Sequence, residues 1–220
     1  MKVRGKNVHL SACILHFSGR GLPPTFALSI RQHQFIQKMT HFTVPTKAEV
    51  NADNQTIFDN LNGALGFVPN LYAIMAYSDT GLGNYLQFQN AKTSLSKKEK
   101  EVVNLVVSQI NECRYCQSAH TVIGKMNGFT DDQILEIRSG SAPFNAKLDA
   151  LAQLTQSITT TKGRPDATVL QQFFDAGYSK GALVDVVLAI ADKVVMNYLH
   201  NITQISIDFP VAPELESAAV

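Results

Sequence analysis

The sequence predicts an all-α fold, on the basis of a helical apolar period and repeated helix-start signals. Apolar residues recur three and four positions apart through most of residues 53–205. Several of these segments are preceded by a capping box, in which a Ser or Thr and a Glu or Gln three residues later satisfy each other's backbone amides. The β-branched run at 102–107 is compatible with a strand, but its length and its capping box favour a helix.

The first three predicted helices follow one another closely from residue 53. The first carries apolar residues at helical spacing and stops at Gly66. Pro69 begins the second, because its fixed φ suits the first position of a helix. The third is expected to end near Ala91.

The next helices have stronger start signals. Ser96 and Glu99 form a capping box that opens the helix carrying Glu101. Thr130 and Gln133 repeat this arrangement and open the helix after it. The remaining predicted helices span 146–158, 167–176 and 181–203.

The helix predicted at 181–203 has a broad apolar face. Such a width suits burial in the centre of a helical bundle or at a subunit interface. Its members are Leu183, Val184, Val187, Leu188, Ala191, Val194 and Val195.

Two stretches of the chain resemble each other in polarity, which raises the hypothesis of an internal two-fold repeat of a helical unit. Segment 95–107 aligns with segment 178–190. Helix-capping signals also recur by chance, so the repeat rests on this alignment alone.

Two thiols and an imidazole are grouped in one short stretch. Cys113, Cys116 and His120 are three and four residues apart, which places them on one face of a helix. A histidine one turn from a cysteine pair can take up a proton, while the second sulfur can close a disulfide. The first turn of a helix also favours a thiolate, because its backbone amides are unpaired.

A carboxylate joins this group only if the chain reverses direction. Glu101 precedes Cys113 by twelve residues, which is about 18 Å along an unbroken helix. A break at 109–112, with Asn111 as the N-cap of the second helix, would produce an antiparallel hairpin. Glu101 would then face His120, fix the tautomer of its ring and raise its basicity.

The same residues have other interpretations. A structural zinc site normally needs four ligands, and the only other cysteine, Cys13, lies in a different kind of segment. Haem attachment requires a histidine directly after the second cysteine, where Gln117 stands. A pair of merely buried thiols remains open. His200, alone on an apolar helix, is interpreted as a packed or interface residue.

The pattern resembles the active-site motif of the alkyl hydroperoxidase D-like (AhpD-like) proteins, the redox branch of the carboxymuconolactone decarboxylase superfamily. Segment 65–79 is similar to a stretch of the longer, peroxidase-related members, and the similarity extends over residues 50–205. The best-studied members have a further histidine where this chain has Tyr115. The motif positions are Glu101, Cys113, Cys116 and His120.

The resemblance implies an AhpD-like helical bundle and a thiol-dependent peroxidase or disulfide oxidoreductase. Cys116 would attack a hydroperoxide and then condense with Cys113, while His120, held by Glu101, would transfer protons. No metal or organic cofactor is implied, only a redox-active disulfide. An external dithiol of the lipoyl or thioredoxin type would reduce that disulfide, and a homo-oligomer, a trimer or hexamer, is implied as well.

Two rival functions remain open. A carboxymuconolactone decarboxylase-type lyase would use His120 and Glu101 for acid–base chemistry, with the cysteines as bystanders. A non-catalytic redox sensor would cycle the disulfide stoichiometrically, without turnover.

The distribution of charge bears on partners and on domain organisation. Residues 1–47 hold 7 of the 19 basic residues and no acid, so residues 48–220 hold 12 basic against 18 acidic residues. An acidic body argues against nucleic acid as a partner. We expect no membrane span, because no apolar run approaches the required length. A poised cysteine pair suggests a reducing compartment, and hence a cytoplasmic location.

The sequence predicts three regions. Residues 1–48 are expected to be a basic N-terminal extension, interpreted as a transit segment, an arm that packs on another subunit, or residues ahead of a natural start at Met39. Residues 49–207 are expected to form the helical domain, and residues 208–220 a C-terminal tail.

Overall fold

The computed structural model describes residues 42–215, and this part of the chain is helical without a strand. The predictions for residues 1–41, with Cys13 and Met39, and for residues 216–220 lie outside the described residues. A single 3₁₀ turn at Lys47–Glu49 precedes the α-helices. These are α1 (Ala52–Leu65), α2 (Asn70–Met75), α3 (Gly81–Gln89), α4 (Lys97–Ile110), α5 (Arg114–Met126), α6 (Asp131–Arg138), α7 (Ala146–Thr161), α8 (Ala167–Asp175) and α9 (Lys180–Thr203).

Local signals in the sequence set most of the helix ends. Gly66 ends α1 with a φ of 83°, a left-handed conformation that glycine adopts without a steric penalty. The capping boxes of Ser96 at α4 and Thr130 at α6 are both formed, and the Ser179 hydroxyl caps α9. The all-α fold class is confirmed.

Helix α4 is the centre of the fold. It packs against α5, α6, α7 and α9, so it is covered on most of its circumference. This explains why its central stretch, residues 102–107, is apolar at five of six consecutive positions and therefore on all sides of the helix. Five of its apolar side chains are fully buried, namely Val102, Val103, Leu105, Val106 and Val107.

Truncation of the α4 core is expected to destabilise the protein strongly. Leu105→Ala truncates a fully buried side chain and leaves a cavity in the core. We therefore expect the free energy of unfolding to fall by about 2–5 kcal/mol. Urea unfolding followed by circular dichroism measures the change. Val211→Ala, at a position that is 63% exposed, is the matched control and is expected to change it by less than about 0.5 kcal/mol.

Helix α9 is buried on one side only. Val186, Ile190 and Met196 face the core, whereas the predicted broad apolar face is divided between partly buried and exposed positions. This face therefore does not lie in the centre of a bundle within the described residues. The exposed large apolar side chains of α9 are Val184, Val187, Leu188, Val195, Tyr198 and Ile202. The internal repeat that would relate α9 to α4 stays a prediction.

The segment after α9 returns across the amino-terminal end of α5. The Asp208 carboxylate accepts a hydrogen bond from the Asn70 amide at 2.7 Å, and the Ala212 amide donates one to the Ser118 hydroxyl at 3.0 Å. The Arg114 guanidinium donates to the Ala212 carbonyl at 2.8 Å. Within the predicted tail, Asp208 is therefore tied to α2, and Ala212 to α5, the helix that carries the cysteine pair.

No helix within residues 42–215 combines the length and the apolar character that crossing a membrane requires.

Candidate active site

Helices α4 and α5 form the predicted hairpin, but its turn differs from the prediction. Asn111 does not cap α5; its amide instead donates to the Val107 carbonyl at 3.0 Å and so ends α4. Glu112 follows with a left-handed φ of 54°. This residue lengthens the turn, and Cys113 becomes the N-cap of α5. The prediction of Asn111 as the N-cap is wrong, because the reversal needs a left-handed residue that its sequence pattern does not announce.

The hairpin brings the predicted carboxylate and imidazole together. His120 Nδ1 lies 2.7 Å from Glu101 Oε2, and both residues are buried. The other carboxylate oxygen of Glu101 accepts a hydrogen bond from the Asn104 amide nitrogen at 3.0 Å. A carboxylate fixed in this way orients the imidazole ring and leaves Nε2 as its second functional atom.

The environment of Glu101 decides its charge. Burial opposes ionisation of this carboxyl, but the adjacent His120, the ammonium of Lys193 and the amide of Asn104 outweigh it and hold the pKa of Glu101 below its usual range. The ionised carboxylate is therefore the form that faces His120 at neutral pH.

The two sulfur atoms lie within reach of a disulfide. Cys113 Sγ and Cys116 Sγ are 2.7 Å apart, and both are free thiols. Cys113 is fully buried, whereas Cys116 lines a cavity. The two members of the pair thus differ in access to a small molecule, and Cys116 is the accessible one.

The sulfurs also differ in their electrostatic environment. The hydrogen bond with Cys116, the imidazole of His200 and the Cys116 backbone amide lower the pKa of the Cys113 thiol. Burial and the proton shared with Cys113 raise the pKa of Cys116, against the attraction of Lys193. Within the pair, negative charge is therefore favoured on Cys113 over Cys116.

His200 and Lys193 were not assigned to the site of the two sulfurs by the sequence analysis. His200, interpreted there as a packed residue, does pack with its ring 5.4 Å from that of Tyr115, but it also acts on Cys113. Lys193 is 3% exposed and lines the same cavity as Cys116. The available signal was the charged pair Asp192–Lys193 between the apolar residues 187–191 and 194–196 of α9.

Tyr115 stands where the best-studied members of the family that this motif resembles have an additional histidine. Its hydroxyl accepts a hydrogen bond from the Leu71 amide at 3.3 Å, and its ring meets that of Phe209 edge to face at 5.6 Å. Burial raises the pKa of Tyr115 far above its ordinary value, so the phenol stays protonated. Its observed contacts join α5 to α2 and to the carboxy-terminal segment.

The cavity at the cysteine pair has a volume of about 780 Å³. Its walls combine side chains of α4, α5 and α9 with the segment between α1 and α2. The apolar and aromatic members include Leu65, Phe67, Tyr115, Ile123, Met126 and Phe209. The charged or titratable members are Lys97, Lys100, Glu101, Cys116, His120 and Lys193.

The described side chains offer little for a metal ion. Within residues 42–215, no group of three or more His, Cys, Asp or Glu side chains is arranged to hold one. Glu101 and His120 are engaged with each other, and the two sulfurs share a hydrogen bond.

The carboxymuconolactone decarboxylase family model matches residues 80–156, a stretch that contains α4, α5 and α6 together with all four motif residues. No curated protein matches the chain. The part of the fold that positions the motif is therefore also the part that the family shares.

Several solved structures have the same fold as this chain. An uncharacterized peroxidase-related protein from Silicibacter sp. TM1040 has a TM-score of 0.67 at 20% identity, over 76% of this chain and 91% of that chain. A peroxidase-related protein from Ralstonia eutropha JMP134 with an alkylhydroperoxidase AhpD core has a TM-score of 0.66 at 17% identity, over 73% and 88%. The debrominase Bmp8, crystallised with 2,3,4-tribromopyrrole, has a TM-score of 0.60 at 16% identity, over 71% and 86%.

The fold and the matched stretch define the class: an all-α protein with the AhpD-like helical fold. Within that class, residues 80–156 match the carboxymuconolactone decarboxylase family model, and the solved structures share the fold of the chain.

Proposed function

We propose that the protein is a thiol-dependent peroxidase, or disulfide oxidoreductase, that reduces hydroperoxides through Cys116 and Cys113. The observation that carries this proposal is the arrangement of the two free sulfurs, 2.7 Å apart, with Cys116 open to a cavity that also contains His120. Such a pair can be oxidised to a disulfide with little rearrangement of the backbone.

The first chemical step belongs to Cys116, because it is the sulfur that lines the cavity. His120 takes the proton of the Cys116 thiol, and the sulfur attacks the terminal peroxide oxygen. The O–O bond breaks, Cys116 becomes a sulfenic acid, and the alcohol leaves with the proton that His120 returns. Glu101 stabilises the imidazolium while it holds that proton.

The second step belongs to Cys113. Its lowered pKa supplies a thiolate that attacks the Cys116 sulfenic acid. The S–S bond forms, and the sulfenic oxygen leaves as hydroxide, which solvent protonates to water. An external dithiol of the lipoyl or thioredoxin type then reduces the disulfide by thiol–disulfide exchange.

Steady-state consumption of hydroperoxide tests this function. The reduced protein is assayed with cumene, tert-butyl and fatty-acyl hydroperoxides, each against dihydrolipoamide, thioredoxin and glutathione. We expect many turnovers per active site with at least one dithiol, and loss of activity after alkylation of the thiols. One stoichiometric oxidation without turnover would identify a redox sensor instead. Turnover of a lactone substrate that survives alkylation would identify a decarboxylase-type lyase.

The same proposal includes assembly into a homo-oligomer, a trimer or hexamer. Its support is the exposed apolar face of α9, where Val184, Tyr198 and Ile202 are each more than half exposed. Burial of this face between copies would remove apolar surface from water. Sedimentation equilibrium tests the assembly, and a monomeric mass at micromolar concentration would contradict it.

A further inference from the structure

Lys193 is a buried cation without a partner among the described residues. It is 3% exposed, yet in the part of the chain that the structure describes its ammonium forms no hydrogen bond and no ion pair within 4.0 Å. Removing a charge from water is costly unless an opposite charge or hydrogen-bond acceptors replace the lost hydration. Because Lys193 lines the cavity, such a group can come from a ligand.

The carboxylate in the cavity is already occupied. Glu101 is paired with His120 through one oxygen and accepts from Asn104 through the other. It attracts Lys193 at a longer distance and lowers the cost of burying it, but it does not contact it directly. The ammonium therefore keeps its donors for a third group.

The cavity is electropositive in an otherwise acidic body. Its ionised lining residues are three lysines, Lys97, Lys100 and Lys193, against Glu101. Residues 48–220 as a whole hold 12 basic and 18 acidic residues. A site whose local charge opposes that of the rest of the chain concentrates anions.

One wall of the cavity is apolar and runs outward along α5. Ala119, Ile123 and Met126 follow Cys116 at helical spacing, and Met126, at 81% exposure, stands at the mouth. From Cys116 to Met126 the helix rises about 15 Å, enough for an extended aliphatic chain. The cation is thus buried, and the apolar wall leads from the cysteine to solvent.

We propose that this cavity binds an amphipathic organic carboxylate, with the carboxylate at Lys193 and the apolar chain along α5 towards Met126. Resting on the proposed function, this makes the substrate a hydroperoxide that carries a carboxylate near its peroxide group. The carboxylate positions the peroxide, while Cys116 and His120 carry out the reaction.

Protection of Cys116 from alkylation tests the binding site without any assumption about turnover. The reduced full-length protein is treated with iodoacetamide in the presence of octanoate or octan-1-ol. Trypsin cuts after Arg114, so the modified Cys113 and Cys116 appear in different peptides and are quantified separately by mass spectrometry. We expect saturating octanoate to slow alkylation of Cys116 by at least about fivefold, and octan-1-ol at the same concentration to have less than half that effect.

Two substitutions locate the carboxylate. Lys193→Met keeps the length of the side chain without its charge and is expected to abolish the protection by octanoate, whereas Lys193→Arg is expected to keep it. Lys100→Gln, which removes a half-buried lysine of the same cavity, is the matched control and is expected to retain protection. Thermal unfolding by circular dichroism verifies that each variant is folded.

Equal protection by octanoate and octan-1-ol would overturn the proposal, because it would show an apolar cavity without a carboxylate site. Protection lost in Lys100→Gln but retained in Lys193→Met would overturn the assignment to Lys193. A Lys193→Met variant with slower alkylation of Cys116 but no octanoate effect in the wild type would show that the ammonium serves the thiolate alone. Absence of hydroperoxide turnover would refute the proposed function and leave the binding result standing.

Discussion

Cys116→Ser is expected to abolish hydroperoxide turnover, with a fall in kcat/KM of about 10⁴-fold or more. A serine hydroxyl is not ionised near neutral pH and is a far weaker nucleophile towards a peroxide oxygen than a thiolate. Cys113 cannot replace the lost sulfur, because it is fully buried and does not line the cavity. The measurement is the rate of peroxide consumption at varied peroxide concentration, with the best dithiol reductant held at a saturating concentration.

Cys113→Ser is the matched variant, because it removes the neighbouring sulfur but leaves the attacking one. It is expected to lose steady-state turnover with the dithiol, since no intramolecular disulfide can form. A single equivalent of hydroperoxide should still oxidise Cys116 to a sulfenic acid, which dimedone traps as an adduct visible by mass spectrometry. Wild-type turnover in both variants would refute the thiol mechanism, and a dimedone adduct on Cys113 in Cys116→Ser would reverse the two roles.

Much of the fold was predictable because its start and stop signals are local. A capping box such as that of Ser96 needs only one turn of chain, and the left-handed Gly66 ends its helix without help from distant residues. The central position of α4 could also be inferred in part, since an apolar run on all sides of a helix requires burial. Which helices cover it depends on long-range packing and was not predicted.

In the candidate site too, the contacts set by local sequence spacing were predictable, and those set by long-range packing were not. Glu101 and His120 meet because they lie at matching distances from a hairpin turn, so their sequence spacing already contained the contact. Lys193 and His200 influence the pKa values of the two thiols from α9, about eighty residues further along the chain, and no spacing rule connects them with Cys113 or Cys116. Their role depends on how α9 packs against α4 and α5.

The N-cap of α5 was predicted at Asn111 but lies at Cys113, and this difference changes the environment of the two thiols. With Asn111 as the cap, Cys113 would have been the second residue of the helix and Cys116 the fifth. With Cys113 as the cap, its sulfur accepts the Cys116 amide at 3.3 Å and sits at the end of the helix dipole. Negative charge is therefore favoured on Cys113, which agrees with the resolving role that the proposed mechanism gives it.

Glu101→Gln is expected to lower kcat/KM for hydroperoxide by about 10- to 100-fold while leaving the fold intact. The amide is close to the carboxylate in size, but it carries no charge to stabilise the imidazolium of His120. The loss should appear in the oxidation of Cys116, measured by stopped-flow with one equivalent of peroxide. Reduction of the preformed disulfide by dithiol should change much less. Glu112→Gln, at an exposed position in the turn, is the control and should behave as wild type.

The pH dependence of that loss follows from the lowered pKa of Glu101. A carboxyl whose pKa lies below its ordinary value remains ionised throughout the range from about pH 5 to 8, so protonation of Glu101 itself does not contribute to the ratio of wild-type to Glu101→Gln rates there. As the pH falls below that range the wild-type carboxylate becomes protonated, and the ratio should shrink towards one. Between about pH 6 and 8 the pH–rate profile of Glu101→Gln should be shifted from that of the wild type, because the variant lacks the charge that faces His120. An unchanged profile would remove Glu101 from the mechanism.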